Sequence, residues 1–217
     1  HSAGPNSIAG TLATTNTALT LNSATAVTTN SSIAAGSGTV TLGAATLSDG
    51  VTLTLGTGDS GAITATSFTG TASGSASNVT FNVTGAVTVS GAIGTDIGTL
   101  TVTNSGGATF SGAVGASGAG NSVASIVLTA TTGTVAFDGD LYATGITNAG
   151  GNFNLNLFGT TTNVTNAVTF GTSGTVVFGN GADTLTFTGG LVHSAGPNSI
   201  AGTLATTNTA LTLNSAT

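Results

Sequence analysis

Few side chains in this sequence are equipped for chemistry, and the carboxylates come first. Asp138 and Asp140 stand two residues apart in "FDGDLY", so they share one face if an extended strand runs through Gly139. Paired carboxylates can hold a calcium ion with hard oxygen ligands, or act as acid and base on a glycosidic bond. Asp183, in "GNGADTL", is a third calcium candidate. For all three the plainer reading is a turn, in which the Asp side chain satisfies nearby backbone N–H groups, and that reading is preferred. Catalysis finds little else to use. There is no Lys or Arg to grip an acidic sugar, and the only histidines are His1 and its counterpart His193. Ser and Thr are so numerous that none stands out as a nucleophile. The chain therefore reads as a non-enzyme, with calcium the one cofactor its residue types suggest.

Charge and composition remove further classes. The formal net charge is −6 with no positive side chain, so nucleic acid is excluded as a partner, because binding it requires Lys or Arg to displace counterions. Anionic membrane surfaces are excluded on the same ground. No apolar run approaches the ~18 residues of a spanning helix, and with no Trp and one Tyr the aromatic girdles of an outer-membrane barrel cannot be built. Without Cys there is neither a disulfide framework nor a thiolate metal site. Cohesion must be non-covalent.

The residues from His1 to Thr25 recur without change from His193 to Thr217. The offset is 192 residues, so residues 1–192 read as one full repeat and 193–217 as the start of the next. The expectation is of an excerpt from a longer array, since the sequence opens with neither an initiator Met nor a secretory signal and shows no polar capping segment. The second copy should then continue the stack begun by the first. His193, Pro197, Ile200, Leu204, Leu211 and Leu213 are its junction residues, with Pro5 and Pro197 at corners, where no ladder N–H is needed.

The elements that would carry such a junction are strands. Glu, Gln, Lys, Arg and Met are absent, which removes most strong helix formers, while Thr and Val suit a pleated surface and Gly, Asn and Ser suit turns. One phrase recurs: "GTVTL" at Gly38, "GTLTV" at Gly98, "GTVAF" at Gly133 and "GTVVF" at Gly174. Alternation puts Val40, Leu42, Leu100, Val102, Val135, Phe137, Val176 and Phe178 inward, and Thr39, Thr99, Thr134 and Thr175 outward. The phrases lie 60, 35 and 41 residues apart, near multiples of ~19, which predicts roughly ten coils per repeat. The fold class is therefore all-β, a parallel β-solenoid; tandem β-sandwich domains are the alternative, disfavoured because the large core residues are only nine Phe.

Runs such as "GTLTVTNSGGATFSGAVGASGAG" and "GTVVFGNGADTLTFTGG" resemble the repetitive regions of bacterial surface proteins: filamentous-haemagglutinin-type exoproteins, autotransporter passengers and giant repeat adhesins. The resemblance covers the whole chain in composition and rhythm. It implies an extracellular or cell-surface bacterial protein of fibrous character. "GNGADTL" is also similar to part of the calcium-binding nonapeptide of RTX proteins, although Phe178 stands where that family has Gly. Thr-x-Thr pairs at Thr39, Thr52, Thr64 and Thr184 resemble the rungs of ice-binding solenoids, but their sequence intervals are too uneven for a lattice. The first functional expectation is a structural repeat that stacks head to tail and self-associates laterally, with further copies of itself as partners. The alternative is the stalk of an adhesin that projects a tip toward a carbohydrate or cell-surface ligand.

Overall fold

Short alternating segments with branched or aromatic residues on one side and Thr, Asn or Ser on the other form strands, and the Gly-rich stretches between them turn the chain. In the computed structural model, which describes His1, residues 3–72 and residues 74–213, there are 24 strands and, among the described residues, no helix. Every strand pair is parallel, with partners one coil apart in sequence. The chain therefore winds as a β-solenoid of about ten turns. Parallel pairing throughout decides against sandwich domains, which pair antiparallel.

Each coil presents three flat faces. On the first, segments 19–21, 40–42, 63–65, 87–89 and 108–110 stack in register, followed by 135–137, 155–157, 176–178 and 198–200. The second begins at Asn6–Ile8 and runs through 25–27, 45–47 and 68–70. It narrows to single bridges at Ile93 and Val114, then widens again through 141–143, 162–164, 185–187 and 204–206. The third starts at Thr11–Ala13 and ends with Val168–Phe170, Leu191–His193 and Leu211–Leu213. Coils run from 19 residues, between Asn6 and Thr25, to 27, between Ala108 and Val135, most of them longer than the 19 expected. The extra residues sit in corner loops such as 71–76 and 115–122, and the parallel ladders continue past them, with register shifts between Leu55 and Asp59 and between Ile97 and Thr99.

The interior is narrow and apolar. All eight inward residues of the Gly-Thr phrases are buried, none more than 2% exposed, while the four phrase threonines are half-buried on the outside. Eight Phe are fully buried. Phe68, Phe81, Phe110 and Phe137 form a ladder along the axis with centroids 5.7, 6.1 and 5.1 Å apart. Phe170, Phe178 and Phe187 form a second cluster at 6.2–6.3 Å. Each buried ring contributes roughly 2–3 kcal/mol of transfer free energy, so the sparse aromatics are concentrated where they count.

The phrase glycines have a steric cause. Gly38, Gly61 and Gly85 stack at the corner entering the first face; a Cβ on Gly85 would lie 2.6 Å from the Gly61 carbonyl oxygen, and one on Gly61 would strike that of Gly38. At the corner leaving the first face, Gly91, Gly112, Gly139 and Gly159 collide in the same way. Only a residue without Cβ lets successive backbones approach this closely. Corner asparagines tie one coil to the next: Asn16 Oδ1 accepts from the Ser37 N–H at 3.0 Å, and Asn30 Oδ1 from that of Thr52 at 2.8 Å. Asn104 Nδ2 donates to Asn82 Oδ1 at 2.8 Å.

Candidate functional site: the repeat junction

The second copy of the duplicated segment continues all three ladders. Asn198–Ile200 pairs with Val176–Phe178, Thr203–Thr206 with Thr184–Phe187, and Leu211–Leu213 with Leu191–His193. Pro197 occupies a corner and uses only its carbonyl, which accepts the Val176 N–H at 3.0 Å. The first copy shares two of its turns with the second, since Asn16 and Asn208 both take left-handed φ, 55° and 54°, and Gly10 and Gly202 take 104° and 116°, whereas Gly4 takes 81° and Gly196 stays outside the left-handed region. The copies also differ in which side is covered. The first copy is covered by coils that follow it, the second by coils that precede it.

Identical side chains therefore sit in two environments. Ile8 is 7% exposed and its twin Ile200 41%; Leu19 is 6% and Leu211 43%. The contrast reverses at Leu204, which is half-buried and packed against the core while its twin Leu12 is exposed. Leu213 and Leu21 are both half-buried against the core. Superposed, the two copies supply a coil on either side of the segment, the condition under which every junction leucine and isoleucine is covered.

His193 anchors this segment. It is fully buried, with Nδ1 2.7 Å from Asn198 Oδ1 and Nε2 3.1 Å from the Thr172 carbonyl oxygen, and its ring stands edge-on to Phe170. A neutral imidazole carries one N–H, whereas both of these partners accept. Turning the Asn198 amide over resolves the conflict, because its Nδ2, buried without a partner, then donates to Nδ1 while Nε2–H donates to Thr172. The first-copy counterpart His1 is exposed and uses its terminal amine to donate to the Thr20 carbonyl at 2.7 Å.

The calcium candidates are not brought together. The strand carrying "TVAF" ends at Phe137, so it does not persist through Gly139, and Asp138 and Asp140 lie in the corner rather than on one strand face. Asp138 is exposed. Asp140 Oδ1 accepts the Thr161 N–H of the next coil at 2.9 Å. Asp183, nearly buried, accepts the Asn180 N–H at 2.7 Å and closes its own turn. Asp49 and Asp59 likewise accept from neighbouring coils, from the Thr71 hydroxyl at 2.7 Å and the Ala35 N–H at 2.9 Å. Among the described residues no three His or Asp side chains gather at metal-ligand distance, and no pocket opens.

One surface feature escaped the sequence reading. Thr20, Thr41, Thr64, Thr88 and Thr109 stack in direct register as an outward column on the first face. Ser32, Thr54, Thr80 and Thr101 form another on the third. Neither column has a constant sequence interval, because the coils differ in length; grouping residues by face instead of by spacing would have found them. The chain matches no family model, no curated protein and no solved structure.

Proposed function

We propose that this chain is a structural segment of an extracellular, cell-surface fibrous protein of bacteria, in which 192-residue repeats stack end on end into a continuous rod. The observation that carries this reading is the paired environment of the junction: Ile200 and Leu211 are exposed where their twins Ile8 and Leu19 are buried by a further coil. A terminal coil that presents apolar side chains and open strand edges is costly alone. Covered by the next copy, it becomes ordinary interior. The partner is therefore the next repeat, and cohesion comes from backbone ladders, buried Phe and Leu, and corner Asn bonds. Support for the location comes from the resemblance of the Gly-Thr-rich runs, in composition and rhythm, to the repetitive regions of bacterial surface proteins.

At ~4.8 Å per coil, each added repeat should lengthen the rod by roughly 42 Å. Small-angle scattering from chains holding one, two and three repeats should give a constant cross-section and a length that grows by that increment. A radius of gyration that grows as for beads on a flexible string would refute the rod.

A further inference from the structure

The duplicated segment does not return to the face it left. Asn6–Ile8 lies on the second face, which can be followed without interruption through 25–27, 45–47, 68–70, Ile93, Val114, 141–143, 162–164 and 185–187 to Leu204. Its copy Asn198–Ile200 lies on the first face instead, above Val176–Phe178. The other strands of the segment shift with it. Thr11–Ala13 is on the third face and its copy within Thr203–Thr206 on the second, while Leu19–Leu21 is on the first and Leu211–Leu213 on the third. Leu204 closes the ninth coil after Asn6–Ile8, and the copy arrives one face before it. One period is thus nine coils less one face.

From this we infer that successive repeats of the array are displaced by one face, a third of a turn in the frame of the solenoid, so that a given surface regains its side only after three repeats. The inference rests on the stacked-array reading. It has a direct consequence for lateral partners. The threonine column from Thr20 to Thr109 is confined to one face of one repeat, yet in the array it faces each of three directions in turn. A second rod of the same chain meets the same surface on whichever of the three sides it approaches, with about 125 Å between recurrences on one side (26 faces, three per coil, at ~4.8 Å per coil give 42 Å per repeat).

Nothing in the local conformation forbids this displacement. The turns at Gly10 and Asn16 recur at Gly202 and Asn208, the turn at Gly4 alone changing, since Gly196 does not share its left-handed φ, and each face accepts an alternating inward and outward pattern. The chain already places the Gly-Thr phrase on two different faces, with Val40 and Val135 on the first and Leu100 on the third.

Cysteine pairs test the displacement in the 217-residue chain, which has no cysteine of its own. Val177 and Ser199 are register partners across the junction on the first face, and Thr186 and Ala205 on the second; all four point outward. A short bifunctional thiol reagent matched to the strand spacing of about 4.8 Å should link Val177→Cys to Ser199→Cys and Thr186→Cys to Ala205→Cys. Each product should shift to faster migration on a denaturing gel. The pair Thr186→Cys and Ser199→Cys should give no shift. If that pair links and Val177→Cys with Ser199→Cys does not, the copy has kept its twin's face and the displacement is wrong, while the array stands. If Asn163→Cys with Thr186→Cys, register partners on the second face that both precede the copy, fails to link in chains whose circular dichroism remains that of the parent, the stack itself, and the rod built on it, is refuted.

Discussion

At the scale of the residue, the least functionalised side chains do the most. Glycine at a stacked corner is a packing requirement set by the carbonyl of the coil below, so replacements at different glycines should separate sharply. Gly61→Ala drives a methyl group into the Gly38 carbonyl and should cost at least 1–3 kcal/mol, the usual range for overpacking. Gly181, with open space around its Cβ position and no left-handed φ, should accept Ala within about 0.5 kcal/mol. Urea unfolding midpoints of the two variants would measure the contrast, and equal losses would refute the corner argument. The aspartates fit the same view. Four of the six accept N–H or O–H groups, three of them from a different coil, so their charge is used to satisfy donors that a coil's corner leaves unpaired.

At the scale of the element, a strand in this molecule is complete only when both neighbours are present. The Leu19 N–H donates to the Thr39 carbonyl of the following coil at 2.9 Å, whereas the equivalent acceptor for Leu211 belongs to the next repeat. Amide hydrogen exchange should therefore be slow at Leu19 and fast at Leu211, although the two sit in identical sequence, and a following repeat should bring Leu211 to the protection of Leu19. Equal rates in the 217-residue chain would contradict the ladder.

This dependence on neighbours also explains what the sequence could reveal. Alternation is a local property, so the inward set of the Gly-Thr phrases, the corner prolines and the parallel stack were all legible. Coil length depends on how many residues each corner loop holds, and that is not written in the strands; hence the 19-residue spacing fell short, and the threonine columns, aligned by face, stayed hidden. The Asp138–Asp140 pairing rested on a strand that stops at Phe137, because Gly139 is needed against Gly112 and Gly159 in the corner stack. The duplication itself is plain in the letters of the sequence, but the face on which the copy lands follows only from counting every corner between the copies.

At the scale of the whole molecule, the electrostatics have one sign. All six charged side chains are aspartates, and no Lys or Arg exists to form an ion pair. Stacked at ~4.8 Å per coil, they give one negative charge per roughly 7 Å of rod, and rods lying side by side have only repulsion between their formal charges. The Debye length falls from ~30 Å at 0.01 M salt to ~8 Å at 0.15 M. At the lower salt neighbouring rods feel each other's charge across several coils; at the higher salt the repulsion is confined to contact distance, where the threonine columns can meet. Salt has no attraction between fixed charges to weaken, so raising it should favour lateral association without a maximum at low ionic strength. Light scattering of multi-repeat rods titrated with sodium chloride at pH 7 should rise through this range, and electron microscopy should show bundles replacing single rods. Association that dissolves as salt is added would mean that charge attraction holds the rods together, which this composition cannot supply.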